Sequence, residues 1–290
     1  MKITDPGAAT ICDATRGDIT ALNLLLSTIQ PGIYNLAVRM LGNKDDAADA
    51  CQEILLRITT HLASYRAEAA FTTWVYQVAR NHLLNASSKS RESPEVSLDS
   101  LADTLRAGLD LGASTWGQRV QQPDDRLEAR QMGVACTQGM LMRMRREDRL
   151  VYLLDTVFGL PSEEAALVLE VTPAAYRKRL SRARQCVEGV AHSVCSLVNP
   201  QADCRCDKQV HSMSIMRKNS SPSTTAYCSA KSITMTRAEK EASDALDQVG
   251  RMSDMAGVLR AHPDWQAPER MREAIRWVLT THAPITQLPQ

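Results

Sequence analysis

The sequence predicts an all-α protein: two small helical domains joined by a long flexible linker, followed by a helical C-terminal extension. Three observations predict it. Aromatic residues make up only 4% of the 290 residues, Phe71 and Phe158 being the two phenylalanines, and small helix formers dominate. Apolar positions recur at three- and four-residue intervals, and no stretch alternates as a strand would. The length leaves room for two or three small units. The hydrophobic fraction of 44% supports packed cores. The formal net charge is +1, so contact with nucleic acid would have to come from local patches rather than from an overall polycation.

The first unit spans residues 18–85. Leu22, Leu25, Leu26 and Ile29 predict an opening helix that stops near Pro31-Gly32, and Ile33, Leu36, Ala37, Met40 and Leu41 continue the pattern to Gly42-Asn43. Asp45 or Asp46 is then expected to cap the helix DDAADACQEILLRITTHL, with Ala47, Cys51, Ile54, Leu55, Ile58 and Leu62 as its apolar stripe. The opposite face carries Asp46, Asp49, Glu53 and Arg57, with Gln52 and Leu56 at the edge. Such an acidic face with one exposed leucine suits a partner protein as well as it suits solvent. A loop with Tyr65, Arg66 and Glu68 leads into FTTWVYQVARNHLLN. There the ~100° rule turns Phe71, Val75, Val78 and His82 inward and Thr73, Tyr76, Gln77 and Arg80 outward, with Trp74 on the boundary. Aromatics, hydroxyls and an arginine beside a loop are the groups that stack and hold unpaired bases. Plain core packing is the competing reading for Phe71 and Trp74, and a satisfied core histidine is the reading for His82.

Residues 86–124 are rich in Ser, Pro, Gly and charge and predict a linker, within which SLADTLRAGL can form a short helix.

The second unit spans residues 125–190. Leu127, Met132, Val134, Ala135, Met140, Leu141 and Met144 outline one helix, and EDRLVYLLDTVF outlines another that ends at Gly159. The stretch SEEAALVLEVTPAAYRKRLSRAR, residues 162–184, then predicts two short helices and a tight turn. Ser162 is expected to cap the first, whose first turn carries Glu163 and Glu164. Glu170-Val171 makes the turn. Thr172 caps the second helix, with Pro173 at its first position, where a missing N–H costs little. Tyr176, Leu180, Ala183 and Val187 fall on one stripe, and Ala174, Lys178, Ser181 and Arg182 lie opposite, flanked by Arg177, Arg179 and Arg184. An exposed face of small residues and long cations suits a DNA major groove: the cations hold phosphates or read guanine edges, and the small residues let the helix approach.

DDAADACQEILLRI, then F-TTWVYQVARN, then GLPSEEAALVLEVTPAAYRKRLSRAR, in that order, resemble bacterial RNA polymerase sigma factors of the sigma-70 family. The likeness is greatest to the extracytoplasmic-function (ECF) group, which keeps the second and fourth conserved regions, and it covers roughly residues 21–190. The resemblance implies a sigma region 2 helical bundle at 18–85 and a region 4 helix-turn-helix at 125–190. It implies core RNA polymerase, through its β′ clamp and β subunits, and promoter DNA as partners, with an anti-sigma protein as a further candidate. It assigns Asp46, Asp49, Gln52, Glu53 and Arg57 to the polymerase clamp. It assigns Tyr65, Arg66, Thr72, Thr73, Trp74, Gln77 and Arg80 to melting and reading the minus-ten element. The minus-thirty-five element falls to Ala174, Arg177, Lys178, Arg179, Ser181, Arg182 and Arg184. The chain departs from the pattern in two places. Only Lys89 and Arg91 follow the ARN, where the family has a denser basic cluster, and Tyr176 replaces a small β-branched residue before the basic run.

The function expected is that of a promoter-specificity subunit that performs no chemistry itself and needs no cofactor. The alternative is a stand-alone helix-turn-helix regulator that never touches polymerase. The sequence holds no nucleophile with a partnered base, no phosphate loop and no carboxylate cluster suited to two metals.

Residues 191–290 form the extension. Cys195, Cys204, Cys206 and His211, with His192 nearby, could supply ligands for zinc, although the spacing is not that of a standard finger. Redox-active or inert thiols are the alternatives, and Cys12, Cys51, Cys136, Cys186 and Cys228 read as buried or incidental thiols. Residues 213–231 read as disordered, 236–261 as an amphipathic helix broken by Pro263, and 269–280 as a second helix that must pack on the other domains or on a regulator. MKITDPGAAT has no apolar signal core and no run is long enough to span a membrane, so the expectation is a cytoplasmic chain with no membrane partner.

Overall fold

The computed structural model describes residues 2–85, 98–116, 125–219 and 254–268. Helix is the only regular secondary structure among the described residues, apart from an isolated parallel bridge between Cys195 and Cys204. No helix among them is long and apolar enough to cross a membrane.

A short helix α1 (Ala8–Thr15) precedes α2 (Ile19–Leu41), which Asp18 caps by accepting the Ala21 N–H at 2.9 Å. The expected stop at Pro31-Gly32 does not occur: α2 runs through Pro31. A helix-interior proline costs about 3 kcal/mol. Here Leu25, Leu26 and Ile29 before it and Ile33, Leu36, Ala37 and Met40 after it are all buried, so one continuous stripe outweighs the break. Gly32 is also the seat of the N-terminal segment, since a Cβ there would stand 2.7 Å from the Ile3 Cα.

Gly42 ends α2 in the left-handed region (φ 69°). Helix α3 (Lys44–His61) follows, and its cap is Asn43 rather than Asp45 or Asp46. The Asn43 Oδ1 accepts from the N–H groups of both aspartates, at 2.8 and 3.2 Å, and leaves their carboxylates beside the positive end of the helix. A 3₁₀ turn and a loop connect to α4 (Phe71–Asn85).

Where a linker was expected, Leu98–Trp116 form helix α5. Leu98, Leu101, Ala102 and Leu105 are buried on one side of it, which is why the helix holds in a stretch flanked by turn-forming residues. Helices α6 (Asp125–Met142), α7 (Arg146–Thr156), α8 (Ser162–Leu169) and α9 (Pro173–Val194) make the second unit. The turn at Cys195–Cys204 reverses the chain into α10 (Cys206–Asn219), which packs on α5 and α6 while α5 also rests on α9. The extension therefore completes a helical layer over the second unit, and residues 213–219, expected to be disordered, are the end of a helix. A one-and-a-half-turn helix α11 (Met255–Arg260) and an extended run to residue 268 follow. Of the helix expected over 236–261, residues 236–253 lie outside the described residues, and Asp254 is extended and caps α11, so α11 begins as a separate helix. Residues 220–231 of the stretch expected to be disordered and the helix expected over 269–280 also lie outside the described residues.

The two units pack directly on each other: α4 against α8, and α2 against α6 and α7. Arg149 of α7, fully buried, organises that joint. Its guanidinium donates to the carbonyls of Leu141 (2.7 Å), Met142 (2.9 Å) and Met144 (2.9 Å), and reaches across to the Met40 carbonyl at the end of α2. A cation at the C-termini of two helices satisfies carbonyls with no partner of their own and complements both dipoles. Gln138 of α6 donates to the Arg39 carbonyl at 3.0 Å beside it. Gly42 allows this approach too, because a Cβ there would meet the Met142 Sδ at 2.7 Å.

Candidate nucleic-acid and polymerase interfaces

The helix-turn-helix forms as its local chemistry dictates. Glu170 takes the left-handed conformation (φ 55°) at the end of α8. The Thr172 hydroxyl accepts the Ala175 N–H at 3.2 Å, and Pro173 opens α9. Ser162 is the first helical residue of α8, not its cap. Tyr176, Leu180, Ala183 and Val187 are buried. Tyr176 donates its hydroxyl proton to the Val151 carbonyl at 3.1 Å, so the residue that departs from the family pattern is a core pin joining α9 to α7 and presents no group to DNA. Ala174, Arg177, Lys178, Ser181, Arg182 and Arg184 are exposed and Arg179 is half-buried. Two of the arginines have partners within the protein: Arg184 lies 2.6 Å from the Asp155 carboxylate, and Arg177 lies 3.7 Å from Glu163. That leaves Lys178 and Arg182 at the centre of an exposed cationic face near the start of the second helix of the turn, where such motifs meet the major groove.

On α3 the structure brings Asp49, Gln52, Glu53, Leu56 and Arg57 onto one exposed face, with Asp46 half-buried at its start. Leu56 is 45% exposed among these polar and charged side chains.

The residues expected to read unpaired bases fall into two groups. Tyr65, Phe71 and Trp74 form an aromatic cluster at the start of α4, with ring centroids 5.2 to 5.6 Å apart. The Tyr65 hydroxyl donates to the Ala69 carbonyl at 2.8 Å and so fixes the loop, in which Ala67 has φ 56° and Arg66 is exposed. Tyr65 and Trp74 keep part of their rings accessible, Phe71 is core, and Thr72 is half-buried beside them. The second group, Thr73, Gln77 and Arg80, was expected to face solvent and instead faces α8. Thr73 is 1% exposed and donates its hydroxyl proton to Glu164 at 3.0 Å. Gln77 donates to the Leu167 carbonyl at 3.0 Å, and Arg80 to the Val168 carbonyl at 3.3 Å while pairing with Glu170 at 3.0 Å. Tyr76, also expected outside, is fully buried against Phe158 and accepts the Ile3 N–H at 3.2 Å. Helical periodicity identifies a second face on α4 but cannot tell that another helix covers it. His82 is half-buried, and burial holds its imidazole below the usual range.

The cysteines of the extension come near one another without forming a ligand set. Cys195 and Cys204 pair across the bridge, and burial raises both thiols, Cys204 to about 11. Burial, and then the neighbouring Cys195 and Cys204, push Cys206 up as well. His211 and Cys204 line a cavity between α5, α9 and α10. Among the described residues no three His, Cys, Asp or Glu side chains are placed to hold a metal ion. Of the other cysteines, Cys51 is buried, Cys136 half-buried, and Cys12 and Cys186 exposed; Cys228 lies outside the described residues.

Sequence reasoning missed the residues that join the units: Asn35, Arg39, Gln138, Arg149, Glu164 and Trp265. The available signal was an arginine embedded in each of two apolar stripes, Arg39 between Leu36 and Met40, and Arg149 beside Leu150 and Val151.

An exposed cationic helix after a tight turn, an aromatic cluster beside a loop and an exposed helix face carrying Asp49, Glu53 and Arg57 suit a DNA-binding protein that works with a partner. The comparisons identify the class. The family model for sigma-70 region 2 matches residues 25–92, and the model for sigma-70 region 4 matches residues 135–187. The RNA polymerase sigma-H factor of Pseudomonas aeruginosa is 25% identical over 177 residues, covering 60% of this chain and 87% of that protein. The ECF RNA polymerase sigma-E factor of Escherichia coli K12 is 27% identical over 179 residues, with the same coverage. The solved structure of CnrH in complex with the cytosolic domain of CnrY aligns with a TM-score of 0.44 and 19% identity, over 63% of this chain and 95% of that one. The chain belongs to the sigma-70 family of RNA polymerase sigma factors, within the ECF group. Its role is to direct promoter-specific initiation of transcription.

Proposed function

We infer that α3 docks on the β′ clamp of core polymerase through Asp49, Gln52, Glu53, Leu56 and Arg57, and that α9 reads the minus-thirty-five element chiefly through Lys178 and Arg182. Tyr65, Arg66 and Trp74 engage the unpaired minus-ten strand. The chain supplies recognition and strand capture, and the polymerase supplies the chemistry, in the cytoplasm where both meet the template. The observation that carries this reading is the placement of the three surfaces on separate helices of one chain: α3 exposed and acidic, the α4 loop aromatic, α9 exposed and basic. A stand-alone regulator would need only the last of them.

The test is run-off transcription with purified core polymerase over a pool of genomic promoter fragments. Transcripts from a set of promoters sharing two spaced elements are expected. Reversing the charge of Asp49 and Glu53 should abolish both the transcripts and co-purification with core. DNA binding without any gain in transcripts, and without polymerase binding, would favour the stand-alone regulator.

A further inference from the structure

We propose that this arrangement is a self-docked, closed state, in which α8 covers the inner face of α4 and the segment 254–268 latches the two units together. The proposal rests on the assignment of α4 to promoter reading.

The covering is chemically specific. Three donors on the inner face of α4 are met by acceptors from α8 or its turn: Thr73 by the Glu164 carboxylate, Gln77 by the Leu167 carbonyl, Arg80 by the Val168 carbonyl and the Glu170 carboxylate. Two of these acceptors are carbonyls at the C-terminal end of α8, which carries the negative end of the helix dipole. Two acids and a negative helix end offer an amide, a hydroxyl and a guanidinium what base edges and phosphates would offer them. The end of α8 and promoter DNA therefore compete for the same side chains. The competition is selective, since Lys178 and Arg182 on α9 and the docking face of α3 stay exposed. The closed chain can dock on polymerase and touch duplex DNA while part of its strand-reading surface is occupied.

The latch touches both units within a few residues. In the second unit Arg260 donates to the Thr156 carbonyl at the end of α7 at 2.8 Å, and the His262 Nε2 lies 2.7 Å from the Thr137 hydroxyl of α6. In the first unit the Asn35 side chain of α2 bonds the Trp265 backbone twice, at 2.9 and 3.1 Å, and Lys44 of α3 stands 4.7 Å over the Trp265 ring, which is 1% exposed. Separating α4 from α8 by a swing of the two units breaks these contacts as well.

Three full-length variants test this. Asn35→Leu and Trp265→Ala loosen the latch; Glu164→Gln in the first turn of α8 with Glu170→Gln at its exposed end weakens the α8–α4 contact without touching a residue assigned to DNA or polymerase. Small-angle X-ray scattering reads the separation of the units, circular dichroism checks the helices, and initial rates of run-off transcription with core polymerase read the release. Larger radii of gyration at unchanged helicity, with initial rates roughly ten-fold above the parent chain, are expected. Unchanged scattering and rates in the glutamine pair and in either latch variant would overturn the proposal. Opening with no transcript from any chain, the parent included, would also overturn it, and would locate the failure in the promoter-reading assignment rather than in the latch.

Discussion

Asn35 and Trp265 are separated by 230 positions and bonded twice: the Asn35 side-chain amide donates to the Trp265 carbonyl at 3.1 Å, and its oxygen accepts the Trp265 N–H at 2.9 Å. The same amide also donates to the Pro31 carbonyl at 2.9 Å. An asparagine on α2 thus supplies the backbone partner that a strand or helix would otherwise give residue 265, and so fixes the far end of the chain on the first unit. Asn35→Leu leaves both Trp265 backbone groups buried without that partner. It should lower stability by about 2 kcal/mol in urea melts, and make residues 254–268 the first region to lose protection in hydrogen exchange. Unchanged protection there would remove Asn35 from this role.

Arg149 should be the most sensitive single position at the joint. It is fully buried and donates to four carbonyls, of Met40, Leu141, Met142 and Met144. Arg149→Met keeps the apolar stem and abandons those carbonyls, at a cost of about 3 kcal/mol or more. Arg149→Lys should recover little, because one ammonium cannot serve carbonyls spread around a planar fork. Urea melts of the two variants check this, and recovery to near parent stability in the lysine variant would contradict it.

Lys178 and Arg182 should matter for binding and not for folding. Both are exposed on α9. Replacing the pair with alanine should leave the melting transition within about 0.5 kcal/mol of the parent. It should weaken binding to the minus-thirty-five element at least ten-fold and flatten the dependence of affinity on salt by about two contacts. Arg184→Ala should do less to DNA binding, since Asp155 already holds that guanidinium. Equal loss from both changes would mean that Arg184 leaves Asp155 when DNA is present.

His262 makes the latch sensitive to acid. Burial, and then the nearby Arg39 charge, lower its pKa to about 3 from the usual 6.5. The folded chain therefore keeps His262 neutral where the unfolded chain protonates it. This contribution is fully present above about pH 6.5 and falls as pH drops toward 3, by up to about 1.4 kcal/mol per pH unit. Melting curves at pH 7.5 and 5.0 should show a smaller acid loss for His262→Gln than for the parent. Equal losses would mean that the histidine is accessible and titrates freely.

Local chemistry was readable before the structure, and relations between helices were not. The stripe of Tyr176, Leu180, Ala183 and Val187, the Thr172 cap and the turn at Glu170-Val171 follow from residues within one or two turns of each other, and each is present. The exposed Leu56 also follows from the periodicity of α3 alone. Pro31 misled because its local cost is offset by burial spread over the whole of α2. Asp45 and Asp46 looked like caps, but Asn43, just after the left-handed Gly42, reached both N–H groups first. Thr73, Tyr76, Gln77 and Arg80 form a polar face by any single-helix rule; Thr73, Gln77 and Arg80 are covered because α8, about ninety positions away, supplies acceptors for them, and Tyr76 because Phe158 and the Ile3 N–H meet it. Trp265 gave no periodic signal, because it lies in extended chain after α11.

Bound to core polymerase, this chain should open promoter DNA at the minus-ten element. Permanganate probing of unpaired thymines on a promoter found by run-off transcription tests it most directly, with the parent chain beside Trp74→Ala. Reactive thymines are expected at the minus-ten element only when chain and core are both present, with a strong loss of reactivity in the alanine variant and minus-thirty-five protection retained. Protection of the minus-thirty-five element with no reactive thymine under any condition would contradict it.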